Sequence, residues 1–320
     1  MLSLKAPEEL IEQMKTRNIK FDLMNEQDAI SFLEKSTYYK KVSSYKNNFL
    51  YAIKDGHKSY YDLDFAYLRE LSTIDMHLRK VIIHACLNIE HSVKLRIINA
   101  CQRNNYNGYE IADEFLSTYP NVRNNVHQNA ANSYCSDLIT NYTKRIPIWI
   151  LVEVISFGDL CKLFKFLTDK DIFGDHTKSQ QTDNVSILYA VHHLRNAAAH
   201  NHCILRDLRY QKNVTAIHEI STFVSRVSEI NNDPRRKALT TKVYNDFICL
   251  LYAVYNFIDS EGVRNGTVNE IKDIFTDRML KNKHYFTHCI PVKNAYTFIK
   301  KILDVYFPSC YFSFMVLKNL

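Results

Sequence analysis

Hydrophobic positions recur at intervals of three and four residues along most of this chain, and that spacing marks one face of an α-helix. The longest run lies between residues 60 and 100 and predicts one amphipathic helix, or two nearly continuous ones. Its apolar positions are Leu63, Tyr67, Leu71, Ile74, Leu78, Val81, Ala85, Ile89 and Val93. Further amphipathic helices are predicted over residues 185–203, 214–230, 240–259 and 295–307. The pattern therefore predicts an all-α fold.

Two segments interrupt this helical pattern. Residues 147–168 contain two apolar stripes separated by Ser156-Phe157-Gly158-Asp159, so we expect Gly158 to end one helix and Asp159 to cap the next. Residues 102–146 are polar and rich in asparagine. We expect a surface loop or a mobile insertion there, with an RNA-contacting lobe as the alternative.

The predicted organisation has three parts. Residues 1–58 form a short helical N-terminal unit, residues 59–212 form a helical core that contains the polar insertion, and residues 213–320 form a helical C-terminal extension. The composition agrees with helices, because 6 Gly and 6 Pro in 320 residues leave few positions for tight turns. A β-sandwich or a glycine-rich nucleotide-binding fold would require more glycine.

Charge and cysteine usage narrow the set of partners only slightly. The formal net charge of +7 permits a polyanionic partner, but a merely basic protein fits it equally well. The eight cysteines are at least fifteen positions apart and form no Cys/His metal pattern, so we expect free thiols and neither a metal nor a cofactor. Because the sequence shows no signal-peptide pattern and no apolar run of about 18 residues, we expect a cytoplasmic protein without a membrane partner.

The densest group of chemically active side chains lies between residues 188 and 202. Its members are His192, His193, Arg195, Asn196, His200 and His202. A lone helical histidine is usually structural, but so dense a cluster favours acid–base chemistry near neutral pH. On a helix, His192, Asn196 and His200 would line one face.

Arg195 does not share that face, since a helix would place it about 140° from His200. The two residues can converge only through the length of the arginine side chain, through a helix end near His200, or through a second copy of the chain. Arg195 and His202 are seven positions apart and nearly eclipsed on a helix. Spacing alone therefore does not choose between His200 and His202.

RNA cleavage is a reaction that this cluster can support without a metal. The ribose 2′-hydroxyl lies beside the scissile phosphate, so the nucleophile is already tethered. A histidine can act as general base or acid, an arginine can stabilise the phosphate charge, and an asparagine can hold the imidazole. The products would carry a 2′,3′-cyclic phosphate and a 5′-hydroxyl. Because both a base and an acid are needed, a two-fold dimer would supply the second histidine.

Two basic clusters are candidates for RNA binding. Lys40 and Lys41 lie in a tyrosine-rich stretch, and Arg235, Arg236 and Lys237 follow a predicted break at residues 231–234. The alternative is structural in both cases, namely a segment anchored by its tyrosines and a solvated helix start.

Four blocks of this sequence, taken in order, resemble the Abi-like family. They are Tyr38-Tyr39-Lys40-Lys41-Val42-Ser43-Ser44-Tyr45, a helix from Leu68 through Asp75 and Arg79 to Glu90, Glu153 with Ser156-Phe157-Gly158, and Leu194-Arg195-Asn196-Ala197-Ala198-Ala199-His200. The resemblance spans roughly residues 10–210. Ser44 and Ala198 depart from the family pattern, which has Gly and Cys at those positions. His202 and Arg206 stand where His-His-x-Arg is common, so their roles stay open.

The resemblance implies a helical bundle of the HEPN type, usually dimeric, with Arg195 and His200 as the catalytic pair at the dimer seam. It places Asn196 beside that pair and makes Glu153 a site-lining carboxylate. Possible accessory residues are His192, His202, Glu153 and Arg206.

The function expected from this resemblance is a metal-independent endoribonuclease of the abortive-infection or toxin type, acting in anti-phage defence. The expected partners are RNA, as substrate and as a cognate noncoding RNA, and a second copy of the chain, and no DNA partner is predicted. One alternative is a non-catalytic binder of a structured noncoding RNA. Another is a protein-interaction partner, such as the target of a nucleotidyltransferase.

Overall fold

The computed structural model describes residues 4–130, 134, 136–142, 145–174 and 177–308, and within those ranges the chain forms fifteen α-helices. The predicted all-α fold class is confirmed. The first eight helices are α1 (Pro7–Lys15), α2 (Glu26–Lys35), α3 (Tyr39–Val42), α4 (Phe65–Arg103), α5 (Gly108–Thr118), α6 (Pro120–Ala130), α7 (Ser136–Asn141) and α8 (Ile148–Val154). The others are α9 (Phe157–Asp169), α10 (Lys178–Ala199), α11 (His218–Ser225), α12 (Asn232–Leu239), α13 (Lys242–Phe257), α14 (Glu261–Asp273) and α15 (Ile290–Tyr306).

Short strands in the first 64 residues were not predicted. They are β1 (Ile19–Lys20), β2 (Tyr51–Lys54), β3 (His57–Tyr60) and β4 (Leu63–Asp64). Strands β2 and β3 form an antiparallel hairpin, and β1 pairs with β4 in parallel. The hairpin loop is Asp55-Gly56, with φ of 49° and 76°. These left-handed angles match a two-residue turn that joins twisted strands, so the helical prediction for residues 1–58 missed a local turn signal.

Helix α4 is the long helix that the apolar spacing predicts, and it is continuous over 39 residues. At 1.5 Å per residue it is about 58 Å long. Asp64 caps its N-terminus by accepting a hydrogen bond from the Ala66 N–H at 2.8 Å. Its buried face packs against α8, α9, α10, α13 and α14, so α4 is the centre of the bundle.

Helix α10 carries the histidine-rich segment, and it packs against α4, α9 and α13. Thr177 and Gln180 form a capping box at its N-terminus. Leu188, Val191 and Leu194 are buried and fix the rotation of the helix about its axis. The polar residues between them are thereby directed toward α9 and the surface.

Residues 102–146 differ from the expected loop, since their described parts include α5, α6 and α7. Helix α5 is amphipathic and buries Ile111, Phe115 and Leu116. The high asparagine content obscured this pattern in the sequence. Whether the segment is an insertion stays a prediction.

The C-terminal extension is helical, as predicted, and packs on the core through α13, which contacts both α4 and α10. Its last described helix returns to α11, where the ring of Tyr306 stacks on that of Phe223 with 3.7 Å between centroids. No helix in the described part of the chain is both long and apolar enough to cross a membrane.

Candidate functional site

The first part of the candidate site is the junction between α8 and α9. Ser156 is the N-cap of α9, and its hydroxyl accepts a hydrogen bond from the Asp159 N–H at 3.2 Å. The expectation that Gly158 ends a helix and Asp159 caps the next is therefore wrong. Gly158 lies inside the first turn of α9, so its lack of a side chain has a different reason.

That reason is the close approach of α10. A Cβ atom on Gly158 would lie 2.9 Å from Nε2 and 3.1 Å from Cε1 of His192. The His192 ring also meets Phe157 edge to face, with 5.8 Å between centroids. The Ser-Phe-Gly block thus forms the wall against which the first histidine of the cluster packs.

A row of hydrogen bonds runs along α10 from Arg195 to His192. Arg195 Nη1 donates to Asn196 Oδ1 at 3.2 Å, and Asn196 Nδ2 lies 3.0 Å from His192 Nε2. The asparagine oxygen accepts from arginine, so its NH₂ group is the donor to His192. With the amide in this orientation Nε2 of His192 accepts, which corresponds to a neutral ring with its proton on Nδ1, a buried atom that has no hydrogen-bond partner among the described residues. Burial, followed by the charges of His193 and Arg195, lowers the pKa of His192 and favours this neutral form.

Glu90 of α4 lies near Arg195, and Lys94 links Glu90 to Glu153 of α8. Lys94 of α4 lies 3.7 Å from the Glu90 carboxylate and 3.5 Å from that of Glu153 in α8. Burial raises the pKa of Glu90, while Lys94 and Arg195 act in the opposite direction. The predicted site residue Glu153 is thus brought to the cluster through Lys94. Glu90 and Lys94 were not predicted as site residues, although Glu90 ends the second block.

Helix α10 ends immediately after the motif. The N–H of Asn201 donates to Ala198 O at 3.0 Å, and the N–H of His202 donates to Ala197 O at 2.8 Å. Asn201 has a φ of 55°. This pair of bonds with a left-handed residue is a Schellman C-cap, and asparagine tolerates the conformation better than most residues.

The helix end decides how the two later histidines lie. His200 is the C-cap and His202 lies outside the helix. The seven-residue spacing that would align His202 with Arg195 on a helix therefore does not apply. The rings of His200 and His202 are exposed and lie 6.0 Å apart, centroid to centroid. Among the described residues, no hydrogen bond or ring contact joins Arg195 to His200.

A buried network holds the chain that leaves this helix end. Asp75 of α4 is fully buried, forms an ion pair with Arg79, and accepts a hydrogen bond from the Tyr45 hydroxyl at 2.8 Å. Its other oxygen accepts from the Leu205 N–H at 2.9 Å. Arg79 also lies 3.4 Å from the carbonyl oxygen of His202. Burial raises the pKa of the Asp75 carboxyl, and Arg79 and the two hydrogen-bond donors oppose that rise.

Residues of the first block and just after it also hold the segment that follows α10, residues 203–208. Asn48 donates to Leu205 O at 2.8 Å and accepts from the Leu208 N–H at 2.7 Å. Cys203 Sγ lies 3.6 Å from the carbonyl oxygen of Lys41. Burial lowers the pKa of the half-buried Lys41 side chain. Tyr45 and Asn48 therefore hold the segment that follows α10, and the backbone of Lys41 lies against Cys203.

The remaining predicted residues lie apart from one another. Arg206 is exposed in the 3₁₀ turn Ile204–Arg206, a few residues beyond His202. The basic cluster belongs to α12, where Asp233 pairs with Arg236 at 3.1 Å and with Lys237 at 2.6 Å. Two of its three charges are thus compensated locally, while Arg235 donates to Asn232. Lys40 is exposed on α3.

The four sequence blocks therefore meet at one end of α10. The sequence model of the family described as Abi-like protein matches residues 31–206, more than half of the chain. This chain belongs to the Abi-like protein family. The matched range contains every block, and membership points to a function in abortive infection. No curated protein and no solved structure matches the chain.

In this Abi-like protein the described residues include no group of three or more His, Cys, Asp or Glu arranged to hold a metal ion. The six described cysteines form no disulfide, and Cys135 and Cys310 lie outside the described residues. Burial raises the pKa of Cys86 and Cys161, which are packed between α4, α9 and α10. These two thiols are poor nucleophiles, so the chemistry of the site rests on its histidines and arginine.

Replacing Gly158 with alanine should disturb the site because the new methyl group displaces the His192 ring and breaks its bond to Asn196. We expect a loss of about 1–2 kcal/mol in the free energy of unfolding, measured in urea. Gly262→Ala is the matched control. Gly262 also follows its helix N-cap by two residues, and a Cβ there meets nothing within 4 Å. It should be neutral or stabilising by up to about 1 kcal/mol, and equal effects of the two variants would contradict the packing argument.

Proposed function

We propose that this Abi-like protein is a metal-independent endoribonuclease whose active site is completed by dimerisation of the chain. The observation that supports the proposal is the arrangement at the end of α10. A hydrogen-bonded row of Arg195, Asn196 and His192 lies one turn before an exposed pair, His200 and His202. These are the groups that RNA cleavage through the 2′-hydroxyl needs.

In the proposed reaction, His200 takes the proton of the ribose 2′-hydroxyl, and the resulting oxygen attacks the adjacent phosphorus. The guanidinium of Arg195 stabilises the added negative charge on the phosphate oxygens. A second histidine protonates the leaving 5′-oxygen. Asn196 and the neutral His192 are positioning residues, since their hydrogen bonds direct the Arg195 side chain.

The geometry of one protomer supports the proposed dependence on a second protomer. Arg195 donates to Asn196 and lies near Glu90 of α4, while His200 is exposed at the helix end. A two-fold axis near this end would place His200 of each copy close to Arg195 of the other. The His202 ring, 6.0 Å from that of His200 in the same copy, would then be the second acid or base of each site.

The test is cleavage of mixed RNA by the purified protein in the presence of EDTA. We expect products with 2′,3′-cyclic phosphate and 5′-hydroxyl ends, identified by mass spectrometry. Arg195→Ala and His200→Ala should each lower the rate by about 100-fold or more. A similar loss of cleavage rate in His202→Ala would identify the His202 ring as the second acid or base. Cleavage that survives in the Arg195 and His200 variants would refute the assignment.

Binding without cleavage would identify the alternative, a non-catalytic receptor for a structured noncoding RNA. In that case a discrete RNA should copurify with the protein and be identified by sequencing. Charge reversal at Lys40 and Lys41, or at Arg235, Arg236 and Lys237, would show which basic cluster contributes to RNA affinity.

A further inference from the structure

A largely apolar cleft of about 430 Å³ lies between α4, α13 and α15 and opens to solvent. Some of the side chains that line it are buried, among them Leu71 of α4 and Phe247 of α13. Others are partly or largely exposed, so a molecule in the cleft can touch them directly. These are Val243, Met279, Leu280, Ala295 and Tyr296. None of the residues in the proposed reaction lines the cleft, so it is a separate site.

The wall of this cleft carries lysines and no carboxylate. Lys283 and Lys293 line it with exposed side chains, and no Asp or Glu is among the described residues that line it. Hydrogen bonds bring the two lysines to the same part of the wall. The hydroxyl of Thr287 donates to His284 O at 2.8 Å, and Lys293 Nζ donates to Thr287 O at 3.4 Å. Lys293 therefore lies beside the turn that contains Lys283.

The carboxylates of neighbouring residues leave these two charges unpaired. Glu70 precedes Leu71 on α4 but lies outside the wall, and Arg278 binds its carboxylate at 2.5 and 3.2 Å. Asp277 is exposed and also outside the wall, and within the described part of the chain neither lysine forms an ion pair. Lys293 lies in the first turn of α15, where the helix dipole also favours an anion.

The combination of an apolar cleft and unpaired lysines fits a ligand with an alkyl chain and an anionic end. A cavity of about 150 Å³ holds one benzene molecule, so about 430 Å³ holds roughly a dozen carbon atoms or more. Burial of the alkyl chain supplies affinity in proportion to its length. A lysine can cover apolar surface with its stem while its ammonium stays in water, which suits a carboxylate at the mouth of the cleft.

We propose that this cleft binds a free fatty acid of medium chain length, with the alkyl chain against α4, α13 and α15 and the carboxylate at Lys283 and Lys293. The segment that follows α10 is part of the same wall, through Ile204 and Leu205. A bound fatty acid therefore contacts the segment that Asp75 holds through the Leu205 N–H. The proposal concerns binding alone and does not depend on RNA cleavage.

Isothermal titration of the full chain tests this proposal. The probes are octanoate, decanoate, laurate and dodecyltrimethylammonium, each below the concentration at which it forms micelles. We expect saturable binding of one laurate per chain. Complete burial of a methylene group tightens binding about fourfold, so affinity should rise by twofold or more for each methylene from octanoate to laurate. Laurate should bind at least fivefold more tightly than dodecyltrimethylammonium, which has the same alkyl chain and the opposite charge.

Charge variants test the position of the carboxylate. Lys283→Glu combined with Lys293→Glu reverses two exposed charges, so the protein should fold normally and lose laurate affinity by tenfold or more. The matched control is Lys54→Glu combined with Lys212→Glu. Both of these lysines are exposed and lie outside the wall, so the same change in net charge should alter laurate affinity by less than twofold.

A second pair of variants tests the position of the alkyl chain. Ala295→Phe places a large side chain in the cleft from the partly exposed face of α15, and it should weaken laurate binding by tenfold or more. Asn294→Phe introduces the same side chain at the preceding position, which is exposed and outside the wall. It should bind laurate like wild type.

Four results would overturn the proposal. Laurate binding that does not saturate is one, and it is the result expected if the largely apolar residues 311–317 of the chain cover the cleft. The second is equal binding of laurate and dodecyltrimethylammonium, and the third is wild-type affinity in the Lys283 and Lys293 double variant. The fourth is binding to phosphatidylglycerol vesicles without binding of free laurate, which would assign the cleft to a membrane surface.

Discussion

A heterodimer that pairs an Arg195→Ala protomer with a His200→Ala protomer should cleave RNA at about half the wild-type rate, although each variant alone is inactive. In a two-fold dimer each site would take Arg195 from one copy and His200 from the other. One of the two sites in this heterodimer then keeps both residues, and the other loses both. The heterodimer is isolated with a different affinity tag on each protomer.

The matched control joins a wild-type protomer to one that carries both substitutions. It has the same number of altered residues, but each shared site now lacks either Arg195 or His200. We therefore expect it to be inactive. The reverse pattern, with activity in this control and none in the first heterodimer, would show that each protomer builds its own site and would contradict the shared one.

Replacing Asp75 with asparagine should lower the free energy of unfolding by about 3 kcal/mol or more, because it leaves the Arg79 charge buried without its partner. Asparagine keeps the shape and an acceptor for the Leu205 N–H, but its NH₂ group replaces the oxygen that accepts from Arg79 and Tyr45, so the change removes both the charge and an acceptor. RNA cleavage should fall as well, because Asp75 and Arg79 anchor the chain at His202 and Leu205. Urea unfolding and the cleavage assay measure the two effects.

Two comparisons separate this buried pair from ordinary ion pairs. Asp304→Asn removes an exposed ion pair to Lys300 on α15, and it should cost less than about 1 kcal/mol. The double variant Asp75→Asn with Arg79→Met removes both charges, so it should recover much of the lost stability. A double variant as unstable as Asp75→Asn would show that the cost does not come from the unpaired arginine.

Much of the fold was predictable because helix formation depends on short-range patterns. The apolar spacing predicted one helix or two over residues 60–100, and α4 covers Phe65–Arg103. A break between two helices was also expected, but it lies at Ile155-Ser156 and not at Gly158-Asp159. The errors also have local causes. Asparagine-rich composition hid α5, and the cap of α9 was assigned to Asp159 although Ser156 makes the hydrogen bond.

The candidate site was predictable in its residue types and less so in its geometry. The spacing of Arg195, Asn196 and His200 identified the segment, and Glu153 was expected near it. Glu90 and Lys94 were missed because they come from a helix about a hundred residues away in the sequence. Their only local signal is a charge pair spaced by four residues, which is common on helix surfaces.

The sequence by itself determined that this protein is helical, that residues 60–100 form one long helix or two nearly continuous ones, and that its reactive residues cluster at Arg195 to His202. The structure showed that α10 ends at Ala199, where the left-handed Asn201 takes His202 off the helix and places it beside His200. Only the tertiary structure showed that Gly158 leaves room for the His192 ring, and that Asp75 holds the segment after α10 by accepting a hydrogen bond from the Leu205 N–H. The reason is physical: periodicity and capping act within a few residues, whereas a close approach or a buried charge network exists only once distant helices pack together.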